Sequence, residues 1–191
     1  MRRPTNSAAV LVPTAALAVV LAACTSGGAP PAPSSAPATS GSDRTEPESV
    51  TPSITREVPP QQRRSLASAS APQLCGLITV DELAQFGYTV RPGVPREIGF
   101  EPPVRGCQFE ADSGVRSILI ASQPAGYAGL GEDEVRLGEV PGTETLRAND
   151  CTVFAGVGEA TLQVTAKAAE ADSDECDAAQ GIAQYVLAAV R

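Results

Sequence analysis

The chain has 191 residues, with 14 Lys and Arg against 22 Asp and Glu, and it contains neither histidine nor tryptophan. A formal net charge of −8 argues against a nucleic-acid-binding protein. The lack of histidine excludes Ser-His-Asp and Cys-His catalysis, and also metal centres that need an imidazole ligand.

The N-terminal residues have the pattern of a bacterial lipoprotein signal peptide. Two arginines follow the first residue, residues 8–20 are almost wholly apolar or small, and Leu21-Ala22-Ala23 stands directly before Cys24. A transmembrane helix needs roughly 20 apolar residues, and this stretch is shorter. The sequence therefore predicts removal of residues 1–23, lipidation of Cys24, and attachment to the extracytoplasmic face of a cell membrane.

Residues 24–71 form a segment rich in proline, serine and alanine, with very few large apolar side chains. Such a segment buries too little apolar surface to offset the entropy that ordering would cost, so we expect it to be disordered. Its prolines favour extended conformations. The segment is therefore predicted to be a tether that holds the rest of the chain away from the bilayer.

Residues 72–191 have the composition of a folded domain. All seven aromatic residues of the chain lie here, and about 120 residues are enough for one hydrophobic core. Eight Lys and Arg stand against eighteen Asp and Glu, which leaves a net charge of −10. We expect a single acidic domain that avoids nucleic acid and anionic lipid headgroups.

The first predicted elements of this domain are a short helix and a hairpin. Thr79-Val80-Asp81-Glu82 has the pattern of a capping box that begins a helix, and Gly87 ends it. A connection rich in proline and glycine follows over residues 91–106. Residues 107–111 and 115–123 predict two strands joined by a tight turn.

The second half of the domain predicts further strands. A short edge strand is expected over residues 134–140, ended by Pro141-Gly142, and a second hairpin over residues 151–155 and 160–168. Apolar and polar residues alternate in residues 160–168. This alternation indicates a strand with one buried face and one face that is at least partly wet.

The C-terminal run, residues 174–190, predicts a helix that Asp174 caps and whose apolar stripe faces the core. Hairpins combined with two helices indicate an α+β fold. We expect an antiparallel sheet of about four to five strands, with the short N-terminal helix and the longer C-terminal helix on one face.

Four cysteines remain in the domain, an even number in a chain that is predicted to be exported. Three pairings are possible. We favour Cys75–Cys107 and Cys151–Cys176, because each bond joins the start of a helix to the start of a strand within one half of the domain. A zinc site is disfavoured because no Cys-x-x-Cys occurs. We expect no metal and no other cofactor.

No catalytic set is recognisable, but one loop has the composition of a binding site. Residues 124–134 are rich in glycine and place apolar side chains beside three acids, and binding residues often lie on exposed loops of this kind. The candidate binding residues are Tyr127, Leu130, Glu132, Asp133 and Glu134. The three acids are also candidates for carboxylate-based hydrolysis.

The order and spacing of the motifs resemble a family of short actinobacterial lipoproteins that carry a domain of unknown function, the 3558 type. The matching motifs are Leu74-Cys75, Asp81-Glu82-Leu83, Gly106-Cys107, Cys151 and Cys176-Asp177-Ala178-Ala179. One departure is Phe109, at a position where the family often has tryptophan. The resemblance implies a disulfide-bonded envelope lipoprotein and assigns no catalytic residue.

We therefore expect a membrane-anchored envelope lipoprotein that is a non-enzymatic binding or accessory module. Its contact with the membrane is the lipid on Cys24. Its partner is expected to be an envelope protein, a lipid or a small ligand, and not nucleic acid. The alternative is a hydrolase of envelope glycan or lipid that uses carboxylates.

Overall fold

The computed structural model describes residues 54–98, 101 and 103–191 of the chain. The predicted signal peptide, the lipidation site Cys24 and residues 24–53 of the predicted tether lie outside the described residues.

The described part of the chain contains seven strands and three α-helices. The strands are β1 Val94–Ile98, β2 Val104–Glu110, β3 Ser117–Pro124, β4 Asp133–Leu137, β5 Val140–Leu146, β6 Asp150–Val157 and β7 Ala160–Lys167. The helices are α1 Ala71–Cys75, α2 Val80–Gln85 and α3 Ser173–Leu187. None of these helices has the length and apolar content that crossing a membrane requires. All strand pairs are antiparallel, and the spatial order is β1-β2-β3-β7-β6-β5-β4.

The predicted sheet of four to five strands with two helices is wrong, because the sheet has seven strands and three short helices accompany it. One additional strand, β1, lies within residues 91–106, which were predicted to be a connection. The other arises because residues 133–146 form two strands, β4 and β5, where only one edge strand was expected.

At both places the sequence contains proline or glycine, which are normally found outside strands. β1 is at the edge of the sheet, where proline is tolerated because one side of the strand is unpaired, and Pro95 lies within it. Pro141 and Gly142 lie inside β5 and do not end a strand. A Cβ atom at Gly142 would stand 2.6 Å from the carbonyl oxygen of Phe154. Glycine therefore permits a close approach of β5 to β6.

The strand register defines the face of the sheet that carries the core. Cys107 of β2 is opposite Ile120 of β3, and Ile120 is opposite Val164 of β7. Side chains that are opposite each other share a face. Ala166, two residues beyond Val164, is opposite Cys151 of β6, so both cysteines lie on this face.

The two predicted disulfides are present and join helices to this face. Cys75 of α1 is bonded to Cys107, and Cys176 of α3 is bonded to Cys151, which confirms the predicted pairing. We call this side of the sheet the helix face. Its core includes buried apolar side chains of the sheet and of α3: Phe109, Ile118, Ile120, Val153, Leu162, Val164, Ile182 and Val186.

Both longer helices begin with a capping box. Thr79 and Glu82 form the box predicted for α2. In α3 the cap is Asp172 and not the predicted Asp174, since the Asp172 carboxylate accepts from the backbone N–H of Asp174 at 2.9 Å. Glu175 completes this box by accepting from the backbone N–H of Asp172 at 3.2 Å.

The packed part of the chain begins before residue 72, where the predicted domain starts. Leu66 is fully buried, its N–H donates to the carbonyl of Arg191 at 3.1 Å, and Arg191 N–H donates to the carbonyl of Arg64 at 2.8 Å. Ser122 of β3 also donates to the carbonyl of Leu66 at 3.0 Å. The average composition of residues 24–71 hid these contacts, because backbone groups of Arg64 and Leu66 and only a few scattered apolar side chains make them.

Candidate functional site

The face of the sheet opposite the helices is largely polar. Alternate residues of each strand point away from the helix face. One row across the strands consists of Leu119 of β3, Thr165 of β7, Thr152 of β6 and Thr145 of β5. We call this side the polar face. The alternation in residues 160–168 predicted that it is at least partly wet; Lys167 is exposed and Gln163 and Thr165 are half-buried, but Thr161 is fully buried.

Hydrogen bonds between neutral side chains run across the polar face. Gln123 donates through Nε2 to Oε1 of Gln163, and Gln163 donates through Nε2 to Oγ1 of Thr165 at 3.0 Å. Oγ1 of Thr165 lies 2.9 Å from Oγ1 of Thr152. Each hydroxyl has one donor and two acceptor lone pairs, so this network orients the side chains without using all their hydrogen-bonding capacity.

Residues 124–132, which we call the strap, cross the polar face between β3 and β4. The middle of the strap is a short 3-10 turn, Tyr127–Gly129. Thr143 of β5 holds this turn from below, since its hydroxyl donates to the carbonyl of Ala128 at 2.7 Å and accepts from Gly131 N–H at 2.9 Å. One threonine side chain therefore fixes both sides of the turn.

The strap lies directly on the strands beneath it. Glu132 N–H is 2.7 Å from the carbonyl oxygen of Glu144 and 3.1 Å from Oγ1 of Thr145. A Cβ atom at Gly156 of β6 would be only 3.7 Å from Cβ of Ala128. The strap is therefore hydrogen-bonded to β5, and Ala128 lies above Gly156 of β6, where only a small residue leaves the space between them open.

A cavity of about 250 Å³ lies beside the strap on the polar face. Its lining comes from the strap, from β5 to β7 and from the turn between β5 and β6: Leu130, Thr145, Arg147, Asp150, Thr152, Phe154 and Gln163. Leu130 is 56 % exposed and forms the outer wall, whereas Thr145, Thr152 and Phe154 are buried. The floor is thus neutral and polar, with an aromatic ring within it.

The two charged residues of the lining have opposite signs. Arg147 and Asp150 both line the cavity where β5 and β6 meet, and the backbone N–H of Arg147 donates to the backbone carbonyl of Asp150 at 2.8 Å. Their formal charges cancel, so the cavity carries no net charge although the domain as a whole is acidic.

The structure spreads the predicted binding residues along the strap and β4. Leu130 lines the cavity, and Tyr127, which is 43 % exposed, lies in the 3-10 turn. Glu132 is at the end of the strap, and Asp133 and Glu134 begin β4, all three with exposed side chains. Glu134 borders a different recess, of about 540 Å³, beside β4 and β5.

The residues of the cavity floor were not among the predicted binding residues. Thr145, Thr152 and Gln163 come from three different strands, and only the register between those strands makes them neighbours. The alternation in residues 160–168 was the available signal. It marks Gln163 as facing away from the core but says nothing about which strands flank it.

One buried hydroxyl on the polar face has no hydrogen-bond partner among the described residues. Thr161 of β7 is fully buried, and its Oγ1 accepts and donates no bond there. Its strand partner is Gly156, over which Ala128 of the strap lies. Burial of an unpaired hydroxyl costs about 1–3 kcal/mol, so this part of the fold is less stable than an apolar side chain would make it.

A partly buried charged cluster lies at the start of α3, where Glu175 is buried and the side chain of Arg116 is 43 % exposed. Arg116 Nη2 is 3.3 Å from Oε1 of Glu175, and the guanidinium lies 4.1 Å from the centroid of the Tyr88 ring. Burial raises the pKa of the Tyr88 hydroxyl, and the neighbouring Arg116 opposes this shift. Because Glu175 also completes the capping box of α3, the cluster has a structural role.

A second cluster joins the N-terminal segment to the helices. Tyr185 of α3 donates to Oε1 of Glu82, and the guanidinium of Arg56 lies 4.9 Å from the centroid of the Tyr185 ring. Burial acts to raise the pKa of Glu82, but hydrogen bonds from Tyr185 and Thr79 outweigh it and lower the pKa below 4.5. Burial and the bond to Glu82 raise the pKa of Tyr185.

Glu144 stands beside the Cys151–Cys176 disulfide, an arrangement that superficially resembles a metal site. The two sulfur atoms are bonded to each other, so neither is a thiolate ligand. The Glu144 carboxylate accepts from Nε2 of Gln180 at 2.8 Å. This group of residues therefore stabilises the contact between β5, β6 and α3 and is not a metal centre.

Residues 19–189 match the model of a family described as protein of unknown function (DUF3558). No curated protein and no solved structure is significantly similar to the chain.

Proposed function

The chain belongs to the DUF3558 family of proteins of unknown function, and we propose that it is a membrane-anchored envelope lipoprotein that acts as a non-enzymatic binding module. The observation that carries the binding part of this proposal is the cavity between the strap and the polar face. The N-terminal sequence, with Cys24 after an apolar run, supports the anchoring part.

The cavity is suited to binding because its walls are held in place before any ligand arrives. Thr143 fixes the strap through two hydrogen bonds, and Thr145 adds a third at Glu132. The side chains of the floor are oriented by the network that includes Gln163 and Thr152. Preorganised walls lower the entropy that is lost when a ligand binds.

The two faces of the sheet support the same assignment. The helix face is closed by α1, α3 and two disulfides, and its side chains are used for folding. The polar face carries neutral hydrogen-bonding groups that open to a cavity. A pocket with an apolar wall and a few convergent polar groups is the usual form of a ligand site.

Photo-crosslinking in intact cells tests the placement of the site. A benzophenone amino acid replaces Leu130 in the full chain, and the matched control carries it at Val115, another exposed apolar position, which lies just before β3 and does not line the cavity. We expect covalent adducts with an envelope component at position 130 and none at position 115. Equal labelling at both positions, or none at 130, would contradict the placement.

Cys24→Ser tests the anchor separately. This variant of the full chain cannot receive a thioether-linked lipid, so we expect it to leave the membrane fraction and to lose labelling by a palmitate analogue. A Cys24→Ser variant that stays in the membrane fraction would contradict anchoring through this residue, and it would leave the crosslinking result unaffected.

A further inference from the structure

We propose that the cavity beneath Leu130 binds one sugar unit of a neutral glycan. This inference rests on the proposed binding function and names the chemical class of its ligand. It follows from three properties of the lining, which are its neutral hydrogen-bonding floor, its apolar surfaces and its small volume.

The floor of the cavity has the hydrogen-bonding chemistry of a polyol site. Thr145, Thr152 and Gln163 supply hydroxyl and amide groups that both donate and accept. A sugar hydroxyl likewise donates and accepts, so it pairs with such groups in either direction. An anionic ligand would instead require an excess of positive charge, and here Arg147 is balanced by Asp150.

The apolar part of the lining matches the other surface of a sugar ring. Phe154 of β6, which is 8 % exposed, and Leu130 of the strap, which is 56 % exposed, both line the cavity. The C–H groups of a pyranose form an apolar face, while its hydroxyls point outward from the ring edge. A ring between Leu130 and Phe154 would therefore place its hydroxyls toward the threonine and glutamine side chains.

The volume restricts the ligand to a small unit. At about 250 Å³ the cavity is smaller than the ~300–1,000 Å³ that is typical of sites for drug-sized molecules. An extended acyl chain or a nucleotide exceeds this space, whereas a single ring fits. Because Leu130 is more than half exposed, the remainder of a glycan chain can continue into solvent past the strap.

The existing network leaves room for the ligand's hydrogen bonds. Thr152 and Thr165 share one bond at 2.9 Å, and Gln163 supplies a second to Thr165. Since each hydroxyl can accept two bonds and donate one, Thr152, which lines the cavity, keeps unused hydrogen-bonding capacity. The site can therefore recognise hydroxyl groups without first breaking its own bonds.

Ligand-observed saturation-transfer NMR on the full chain tests the class of ligand. The probes are neutral gluco-, manno- and galacto-oligosaccharides, with oligogalacturonate as the acidic comparison and vesicles containing phosphatidylglycerol as the lipid comparison. We expect saturation transfer to at least one neutral oligosaccharide and none to the acidic probe or to the vesicle lipid. Binding of only the acidic probe or only the vesicles overturns the proposal, as does binding of none of the probes.

Substitutions locate the binding. Thr152→Val keeps the shape of the side chain but removes its hydroxyl, and we expect it to weaken the Kd for the neutral oligosaccharide by on the order of tenfold. The matched control is Thr89→Val, at an exposed threonine outside the cavity lining, which should leave the Kd within about twofold. An unchanged Kd in Thr152→Val overturns the proposal.

Leu130→Ala provides a second test that does not depend on correct folding of the Thr152→Val variant. Leu130 is 56 % exposed, so its truncation spares the core, and we expect weaker binding with unchanged thermal unfolding. Full binding by Leu130→Ala overturns the assigned position of the sugar. Crosslinking from position 130 to a component that contains no sugar would refute the glycan class while leaving the proposed binding function intact.

Discussion

The two faces of the sheet are built by different physical means. On the helix face, buried apolar side chains pack against α1 and α3, and two disulfides hold those helices in place. On the polar face, the strap is held by hydrogen bonds with the side chains of Thr143 and Thr145 and with the carbonyl of Glu144. Loss of a buried side chain or a disulfide on the helix face should therefore destabilise the whole fold. Loss of a hydrogen bond on the polar face should mainly loosen the strap.

This difference indicates that the helix face provides most of the stability and that the polar face is the better candidate for binding. Apolar burial and crosslinks contribute several kcal/mol at a single position, whereas a typical hydrogen bond contributes about 0.5–1.5 kcal/mol. The unpaired hydroxyl of Thr161 beneath the strap shows that the polar face is not optimised for stability. Sites that bind ligands are commonly drawn from such less stable regions.

Loss of a disulfide on the helix face is expected to have the largest effect. Cys151→Ala combined with Cys176→Ala removes a crosslink between residues 25 positions apart and should lower the free energy of unfolding by about 3–4 kcal/mol. Urea denaturation measures the change. Thr152→Val, at the next residue on the opposite face, is the control and should cost about 1 kcal/mol. Equal losses would contradict the difference between the faces.

Release of the strap is expected to have an intermediate and local effect. Thr143→Val removes two hydrogen bonds to the strap and should lower the free energy of unfolding by about 1–2 kcal/mol. Hydrogen-exchange mass spectrometry should show faster exchange over residues 124–132, with unchanged protection of α3 and the central strands. Slow exchange of the strap in this variant would show that packing, and not Thr143, holds it in place.

Replacement of the unpaired hydroxyl should have a small effect of opposite sign. Thr161→Val removes a buried group that lacks a partner and should raise the free energy of unfolding by about 1 kcal/mol. Thr145→Val is the matched comparison, and it should destabilise because its hydroxyl accepts from Glu132 N–H. A loss of stability in Thr161→Val would mean that its hydroxyl is paired in solution.

The smallest expected effect is the pH dependence of stability that arises from Glu82, Tyr88 and Tyr185. The pKa of Glu82 is below 4.5 in the folded state, so its stabilisation is complete above pH 4.5 and is lost as the pH falls through the folded pKa. The pKa values of Tyr88 and Tyr185 are raised above 10.0, so their contributions are complete below pH 10.0 and decline above it.

Stability measured by urea denaturation at successive pH values checks these signs. Glu82→Gln should flatten the acid side of the profile, and it should also reduce part of the alkaline decline, because the Glu82 carboxylate contributes to the raised pKa of Tyr185. An acid side that is as steep in Glu82→Gln as in the unaltered chain would assign the acid sensitivity to other carboxylates.

Elements with a strong local signal were predictable. The capping box at Thr79 and Glu82 specifies its own helix start, and the alternation in residues 160–168 specifies β7 and its orientation. The pairing of the cysteines was predictable because each bond spans only one half of the domain. For α2 and β7 the signal comes from neighbours in the sequence, whereas the disulfide partners are 32 and 25 positions apart.

Elements that depend on distant partners were not predictable. Pro95 and Pro141-Gly142 are ordinary strand breakers, and only the edge position of β1 and the close approach of β5 to β6 make strands possible there. Leu66 was placed in a disordered segment because its contacts with Arg191 and Ser122 lie far along the chain.

The sequence by itself determined the acidic charge, the even set of domain cysteines, the α2 helix and the polar side of β7, since composition and short-range patterns encode these properties. The tertiary structure alone decided that the strap lies over that polar side and that Leu130 meets Phe154, Thr152 and Gln163 around one cavity. The reason is geometric, because strand register and the path of a loop bring together residues that have no relation in the sequence.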